Sequence, residues 1–125
     1  MIVGVGIDMV RIERVAALLE RRGDRALRRL FTEGEARRCR ESRHPAESFA
    51  ARFAAKEAFF KALGTGVGAG GEWTEVEVRS LPSGAPRVSL TGRAAATAAA
   101  LGVARIHLSL THAGESAAAV VVLEG

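Results

Sequence analysis

The chain has 125 residues, of which 48% are hydrophobic, and its formal net charge is +4. This length predicts one domain over residues 1–125, able to bury about two-thirds of its unfolded surface. No apolar run approaches the ~20 residues that cross a bilayer, and no basic segment followed by an apolar stretch indicates a secretory signal. The single cysteine, Cys39, excludes an intrachain disulfide and a thiolate metal cluster, so we expect a cytoplasmic protein.

The first predicted element is a strand over residues 2–10, where apolar side chains alternate with small or polar ones. One face of this strand carries Gly4, Gly6 and Asp8. Because glycine has no side chain, we expect a close contact against the face that carries Asp8.

Three helices are predicted after the strand. They cover residues 11–22, 24–31 and 32–42. We expect Asp24 to cap the second helix, and Thr32 with Glu35 has the spacing of a capping box at the start of the third.

These helices are strongly basic, since residues 11–43 contain 11 arginines against six acidic residues. Such a surface suits a nucleic acid, an anionic membrane or an acidic protein. Apart from Phe31 it lacks the aromatic side chains that stack on bases, and no RNA-binding or helix-turn-helix pattern is present. An acidic protein partner is therefore favoured, and the alternative is a soluble arginine-rich surface without a partner.

A long helix is predicted over residues 46–63, after the break at His44-Pro45. On a helix of 3.6 residues per turn, three phenylalanines share one arc and five alanines lie nearly opposite, where another backbone can come close. These residues are Phe49, Phe53, Phe60, Ala51, Ala54, Ala55, Ala58 and Ala62. Glu57 and Lys61 lie one turn apart in the seam between the two faces, partly desolvated and suited to a charged ligand. The alternative is an ordinary surface salt bridge worth only ~0.3–0.5 kcal/mol.

The long helix ends in Gly64-Thr65-Gly66, where a glycine cap and exposed backbone N–H groups leave room for a phosphate. Residues 64–72 contain five glycines and are predicted to form a flexible loop. They lack the Gly-x-x-x-x-Gly-Lys-Ser/Thr spacing, so a nucleotide-triphosphatase loop is excluded.

The remainder of the chain is predicted to contain four strands and one helix. The strands cover residues 74–79, 86–90, 106–112 and 117–123, and the helix runs from its cap Thr91 to Leu101-Gly102. No linker or internal repeat divides the sequence. We therefore predict a single compact α+β domain, with a largely antiparallel sheet packed against the long helix.

Asp8 and Glu57 are hard oxygen ligands with no cysteine or histidine near them in the sequence. This ligand type favours Mg²⁺, which keeps several waters and is usually completed by substrate phosphate oxygens. Lys61, on the same predicted helix as Glu57, suits a pyrophosphate or a departing phosphate.

Three blocks, spread over nearly the whole chain, match one family pattern in order. They are residues 3–10 (VGVGIDMV), residues 52–66 (RFAAKEAFFKALGTG), and residues 107–112 with 117–122 (HLSLTH and AAAVVV). They resemble the opening strand, the signature helix and the closing hairpin of the 4′-phosphopantetheinyl transferases. The closest likeness is to the short bacterial type, the holo-acyl-carrier-protein synthases.

The resemblance implies a reaction in which coenzyme A donates its phosphopantetheine arm to a serine of an apo-acyl carrier protein, releasing adenosine 3′,5′-bisphosphate. Such a step serves fatty acid biosynthesis and related lipid metabolism. It implies that Asp8 and Glu57 bind Mg²⁺ and that Lys61 stabilises developing charge. Glu57, directly or through a metal-bound water, is a candidate base for the serine proton.

Further positions match residues around the nucleotide and its phosphates in the family. These are Arg52, Lys61, Gly64, Thr65, Pro86 and His112. A purely structural histidine at a strand end is the alternative for His112, and we expect His44 and His107 to be structural. The chain departs from the family at Ala85, where many members have lysine before the proline, and Arg79 or Arg87 is expected to compensate.

The resemblance also implies partners. We expect an acidic acyl carrier protein to dock on the first helix, and no nucleic acid or membrane to bind. The docking residues are predicted to be Arg11, Arg14, Arg21 and Arg22. A chain of this length provides half of the cleft found in two-copy members, so a homotrimer with sites between subunits is expected. Residues 117–123 are predicted to pack either between subunits or in the domain's own core.

Two other classes of function remain open from the sequence. One is an arginine-rich module that binds an acidic protein without chemistry, for which Asp8 and Glu57 are dispensable. The other is a small nucleic-acid-binding protein, which would bind with a steep salt dependence and without Mg²⁺ or coenzyme A.

Overall fold

A computed structural model describes residues 1–125 and contains five strands and four α-helices. In chain order these are β1 (Ile2–Arg11), α1 (Ile12–Leu30), α2 (Glu33–Glu41), α3 (Pro45–Leu63), β2 (Val76–Ser80), β3 (Pro86–Leu90), α4 (Gly92–Ala100), β4 (Arg105–Ala113) and β5 (Ser116–Glu124). A short 3₁₀ turn, Trp73–Glu75, precedes β2. None of the helices is both long enough and apolar enough to cross a membrane.

The strands form two antiparallel sheets. The larger has the order β1-β5-β4, with Asp8 of β1 opposite Ala119 and His112 of β4 opposite Ala117. The smaller is the β2-β3 hairpin, with Arg79 opposite Arg87. The predicted α+β domain is therefore confirmed, and its antiparallel strands are divided between two sheets.

Helix α3 is buried on several sides, which explains its two apolar faces. Its alanine side lies against the three-stranded sheet, and Ala54, Ala55 and Ala58 are almost completely buried there. On its other side Phe49 packs edge-on against Phe31, with ring centroids 5.0 Å apart. The helix thus joins the sheet to α1 and α2.

Two glycines of β1 allow this strand to lie directly against the backbone of α3. A Cβ atom added at Gly4 would overlap the carbonyl oxygen of Ala62, and one added at Gly6 would overlap that of Ala58. The close contact expected on this face of the strand is therefore made by the backbone of α3, which brings Asp8 beside that helix.

A buried ion pair connects α3 to α2 and to the second sheet. The ammonium of Lys56 lies 2.7 Å from Glu35 Oε1 and donates to the carbonyl oxygens of Trp73 and Val76 at 2.9 and 2.8 Å. Glu35 Oε2 accepts from the backbone N–H of Val78 at 2.8 Å. Because both side chains are fully buried, each must have its hydrogen bonds satisfied within the protein.

Three local predictions need correction. The 24–31 segment is helical, but Asp24 forms no capping hydrogen bond, and α1 is broken instead at Gly23, which has φ 61° and ψ −146°. Thr91 precedes α4 without capping it, and the carboxylate of Glu75 accepts from the first-turn N–H groups at 3.1 and 3.3 Å. The strand predicted from residue 74 begins at Val76, because the 3₁₀ turn precedes it.

Two glycine substitutions distinguish the loss of stability caused by lack of space from the loss caused by backbone strain. Gly6→Ala should lower the free energy of unfolding by at least about 3 kcal/mol, because the new methyl group forces two backbones apart. Gly23→Ala, where an added Cβ meets nothing within 4 Å, should cost about 1–2 kcal/mol from its positive φ alone. Urea unfolding measures both. Equal losses would show that β1 does not depend on its close contact with α3.

Candidate active site

The contact between β1 and α3 brings three predicted site residues together. Lys61 Nζ lies 2.8 Å from Asp8 Oδ1 and 3.1 Å from the carbonyl oxygen of Ile7. Lys61 forms no salt bridge with Glu57, the partner four residues away on its own helix, so the ordinary intrahelical salt bridge is not observed. The ammonium instead bridges two elements of the fold.

The two carboxylates of this group are poorly compensated by positive charge. Asp8 is only 11% exposed, and its Oδ2 is buried without a hydrogen-bond partner. The pKa of Glu57 is raised to about 7, first by burial and then by the neighbouring Asp8 carboxylate, and together these outweigh the charges of Lys61 and Arg14. Such a pair favours a further cation or a proton.

These carboxylates supply two of the ligands that a magnesium ion needs. No cluster of three or more metal-binding side chains of the His, Cys, Asp or Glu types is present. Their carboxylate oxygens are hard donors, and Asp8 Oδ2 has no hydrogen-bond partner. They therefore fit an Mg²⁺ ion whose coordination shell is completed by water and substrate oxygens.

Two clefts meet at Glu57. One, of about 540 Å³, is bounded by Asp8 and by the arginine-rich face of α1, including Arg14 and Arg21. The other, of about 370 Å³, extends past Lys61 to the glycine-rich loop. The sequence did not predict that the proposed docking helix lines the same cleft as the carboxylates.

The second cleft is formed where α3 ends. Gly64 has φ 79° and ψ 5°, and its N–H donates to the carbonyl oxygens of Phe60 and Lys61, as predicted for a glycine cap. Gly64 and Gly66 line the cleft together with Trp73, while Thr65 is exposed beside them. Trp73 was not predicted as a site residue, although it is the chain's only tryptophan and follows the glycine run.

Arg52 and Pro86, two of the remaining predicted site residues, are linked through Ser80 on the other side of α3. Arg52 is nine residues before Lys61, which places it half a turn round the helix and about 13 Å away along its axis. Its guanidinium donates to Ser48 Oγ at 2.8 Å and to Ser80 Oγ at 3.5 Å, and its buried Nε has no partner. Ser80 is opposite Pro86 in the β2-β3 hairpin.

The histidines are placed at three separate positions. His112 lies near the first turn of α3, with Nδ1 3.8 Å from Glu47 Oε2. His107 bonds to Glu124 Oε1 at 2.9 Å, and His44 is the residue before α3. His112 is therefore not in contact with the carboxylates and lysine of its own chain.

The site therefore comprises two carboxylates and a lysine beside a glycine-ended helix, on an α+β scaffold. A family model described as the 4′-phosphopantetheinyl transferase superfamily matches residues 4–121 of this sequence. The chain belongs to that superfamily.

Known members of the superfamily resemble the chain over its full length. A holo-[acyl-carrier-protein] synthase of Desulforudis audaxviator is 49% identical over 125 residues, which cover 100% of this chain and 95% of that protein. The crystal structure of the holo-[acyl-carrier-protein] synthase from Neisseria meningitidis superposes with a TM-score of 0.92 at 30% identity, covering all of both chains. The Helicobacter pylori synthase, solved in complex with coenzyme A, has a TM-score of 0.85 at 28% identity and covers 96% of this chain and 99% of that one.

The raised pKa of Glu57 predicts a pH dependence of stability. The folded state holds this proton more tightly than the unfolded chain does, so the contribution is present below pH 4.5 and is lost as pH rises towards 7. Without divalent metal, Glu57→Gln should therefore gain stability relative to wild type between pH 5 and pH 8, by about 1 kcal/mol after allowance for solvent screening.

Urea unfolding at both pH values measures this gain, with the exposed Glu20→Gln as the matched control. Parallel pH profiles for wild type and Glu57→Gln would show that neither burial nor the Asp8 carboxylate raises the pKa of Glu57.

Proposed function

We propose that this chain transfers the 4′-phosphopantetheine group of coenzyme A to a serine of an apo-acyl carrier protein, releasing adenosine 3′,5′-bisphosphate. The observation that carries the proposal is the convergence of Asp8, Glu57 and Lys61 beside a glycine-ended helix. The names of its relatives and the coenzyme A complex of the Helicobacter pylori synthase support it. Neither rival class from the sequence accounts for this convergence.

Transfer of a phosphoryl-type group depends mainly on alignment and on neutralising charge. Lys61 is proposed to contact the diphosphate of coenzyme A and to stabilise the charge that develops on the leaving group. The Lys61 side chain is 58% exposed although its ammonium bonds to Asp8, so a phosphate can reach it. Gly64 lines the same cleft, with the exposed Thr65 next to it, and both would lie near the phosphates.

Asp8 and Glu57 are proposed to hold one Mg²⁺. The free Oδ2 of Asp8 and the unfavourable pairing of two carboxylates are the observations that fit this ion. When bound, Mg²⁺ supplies positive charge that neutralises the diphosphate.

The serine hydroxyl must lose a proton as it attacks phosphorus. Glu57 is the candidate base, since a carboxyl group with a pKa of about 7 is matched to proton transfer near neutral pH. Both proposed roles of Glu57 require its ionised form.

The direct test combines the protein, coenzyme A, Mg²⁺ and an apo-carrier protein, and weighs the carrier by mass spectrometry. Wild type should add one phosphopantetheine per carrier. Glu57→Gln should abolish transfer while retaining the fold, because it removes both the negative charge of a metal ligand and the proposed base. Glu20→Gln should transfer normally. Near-normal turnover by Glu57→Gln in saturating coenzyme A would contradict the metal assignment.

A single chain is proposed to provide two half-sites. Asp8, Glu57 and Lys61 form one, and Arg52 with Pro86 and His112 would form the other, on a different side of α3. A nucleotide that contacts both groups must lie between neighbouring copies. We therefore propose a cyclic homotrimer with three shared sites, in which each subunit presents unlike faces to its neighbours.

The outer face of the three-stranded sheet is the proposed subunit interface. Its exposed apolar side chains on β1 are Ile2, Val3, Val5, Ile7 and Met9. Val5 and Ile7 are in register with the half-buried Val122 and Val120 of β5. Residues 117–123 fit both expectations, because alternate residues from Ala117 to Leu123 are buried in the core and the others extend the apolar face that would pack between subunits.

Oligomeric state tests the shared sites. Light scattering should give about three times the 13.2 kDa chain mass for wild type. Val5→Asp should shift the protein towards monomer and lose transfer in parallel, because it places a charge on the apolar face. Leu101→Asp, at an exposed position on the α4 end, should change neither. A fully active monomer would rule out shared sites.

The carrier protein is proposed to dock on the arginines of α1. Arg14 and Arg21 border the cleft that contains Asp8. Arg11, which was predicted on the first helix but ends β1, also borders it and is paired with Glu115 at 3.2 Å. Arg22 is exposed. An acidic partner bound there would bring its serine towards the carboxylates.

Charge reversal tests this surface. Arg21→Glu should lower kcat/KM for the carrier by about tenfold at low salt, chiefly through slower association, and added salt should reduce the wild-type rate in the same way. Arg43→Glu, an exposed arginine outside α1, is the matched control. Wild-type rates for Arg21→Glu and Arg14→Glu at low salt would place the docking surface elsewhere.

Arg87 is proposed to replace the lysine that many family members have at the position of Ala85. It is exposed at the β2-β3 hairpin, directly opposite Arg79. Arg79 Nε lies 2.8 Å from Glu77 Oε1, so of these two arginines Arg87 is the one that forms no salt bridge. Two like charges in register are unfavourable, and an anion between them relieves the repulsion.

A further inference from the structure

The middle of the glycine-rich loop between α3 and the 3₁₀ turn has little packing to fix its shape. Five of its nine residues, 64–72, are glycine, and Gly68 has φ 92° with nothing within 4 Å of an added Cβ. Internally, Gly68 N–H donates to Gly71 O at 2.8 Å and Gly70 N–H to Gly66 O at 3.1 Å. A glycine backbone loses more conformational entropy on ordering than any other, so such a loop needs external support.

One side chain from a distant element supplies that support at the middle of the loop. Arg93, in the first turn of α4, donates from Nη1 to the carbonyl oxygen of Gly68 at 2.6 Å. Arg93 forms no salt bridge, so no carboxylate competes for its guanidinium. The short distance is typical of a charge-assisted hydrogen bond.

The base of Arg93 is itself fixed. The carboxylate of Glu75 accepts from the N–H groups of Arg93 and Ala94, and also from that of Glu72 at the end of the loop at 2.8 Å. An added Cβ at Gly71 would contact Ala94 Cβ at 2.8 Å, so the end of the loop lies directly on α4. Helix α4 therefore holds the loop at two points.

The same loop forms one wall of the cleft beside the charged site residues. Gly64, Gly66 and Val67 line the 370 Å³ cleft with Glu57 and Lys61. Gly70 packs under the hydroxyl of Thr65. A change in the middle of the loop is thereby transmitted to the residues that border the cleft.

We infer that Arg93 is a positioning residue for coenzyme A, which acts by holding the glycine-rich loop in its binding conformation through the Gly68 carbonyl. The inference rests on the proposed function for its substrate. Arg93 need not touch that substrate. Because Arg93 orders the loop before coenzyme A binds, binding loses less conformational entropy. Arg93 should therefore affect substrate affinity and leave the rate of the chemical step nearly unchanged.

The test compares Arg93→Met, which keeps length and removes the donors, with Arg93→Lys, which keeps one donor and the charge. Arg93→Met should raise KM for coenzyme A about tenfold with kcat changed less than about twofold, and Arg93→Lys should recover part of the loss. In the free protein, hydrogen exchange at the amides of residues 65–70 should become about tenfold faster in Arg93→Met. Arg43→Met, at an exposed position away from the loop, should match wild type in both measurements.

An Arg93→Met variant with wild-type loop exchange and wild-type KM overturns the inference. A lower melting temperature with unchanged loop exchange also overturns it, because Arg93 would then be structural only. If wild type itself fails to modify the carrier, the proposed function fails, while the exchange comparison still decides whether Arg93 orders the loop.

Discussion

The buried contact between Lys56 and Glu35 is the interaction on which the arrangement of α3 depends. The ammonium has three acceptors for its three protons, from α2, the 3₁₀ turn and β2. Burial lowers the pKa of Lys56, and the charge of Glu35 opposes that shift. Loss of one partner would leave the other charge buried and uncompensated, which typically costs about 3–5 kcal/mol. This pair therefore fixes how α3 is rotated within the molecule.

That rotation determines which side chains of α3 reach the site. Glu57 follows Lys56 by one residue, about 100° round the helix, so an inward Lys56 turns Glu57 towards β1 and Asp8. Lys61, one turn later, reaches the same strand. Arg52 faces away, towards Ser80 of the second sheet. The division of the predicted residues into two groups thus follows from the orientation of one helix.

The sequence predicted the fold well because its signals are local. Strand alternation, the Thr32–Glu35 capping box and the Gly64 cap each depend on a few neighbouring residues, and the structure contains all three. Contacts between distant segments could not be read in this way. One example is the cap of α4, which is provided by Glu75 and not by Thr91. Another is Lys61, which pairs with Asp8 and not with Glu57. The α+β class and the superfamily are confirmed, and the roles of the site residues stay predictions.

The close approach of β1 to α3 also bears on how this protein tolerates sequence change. At Gly4 and Gly6 the strand rests on main-chain atoms of the helix, with no side chain between them. A substitution elsewhere in the core that alters side-chain volume therefore has no direct means of changing the separation between Asp8 and Glu57. The side chains of the hydrophobic core can therefore change during evolution while the spacing of the two carboxylates is kept. Substitution of Gly4 and Gly6 themselves is restricted.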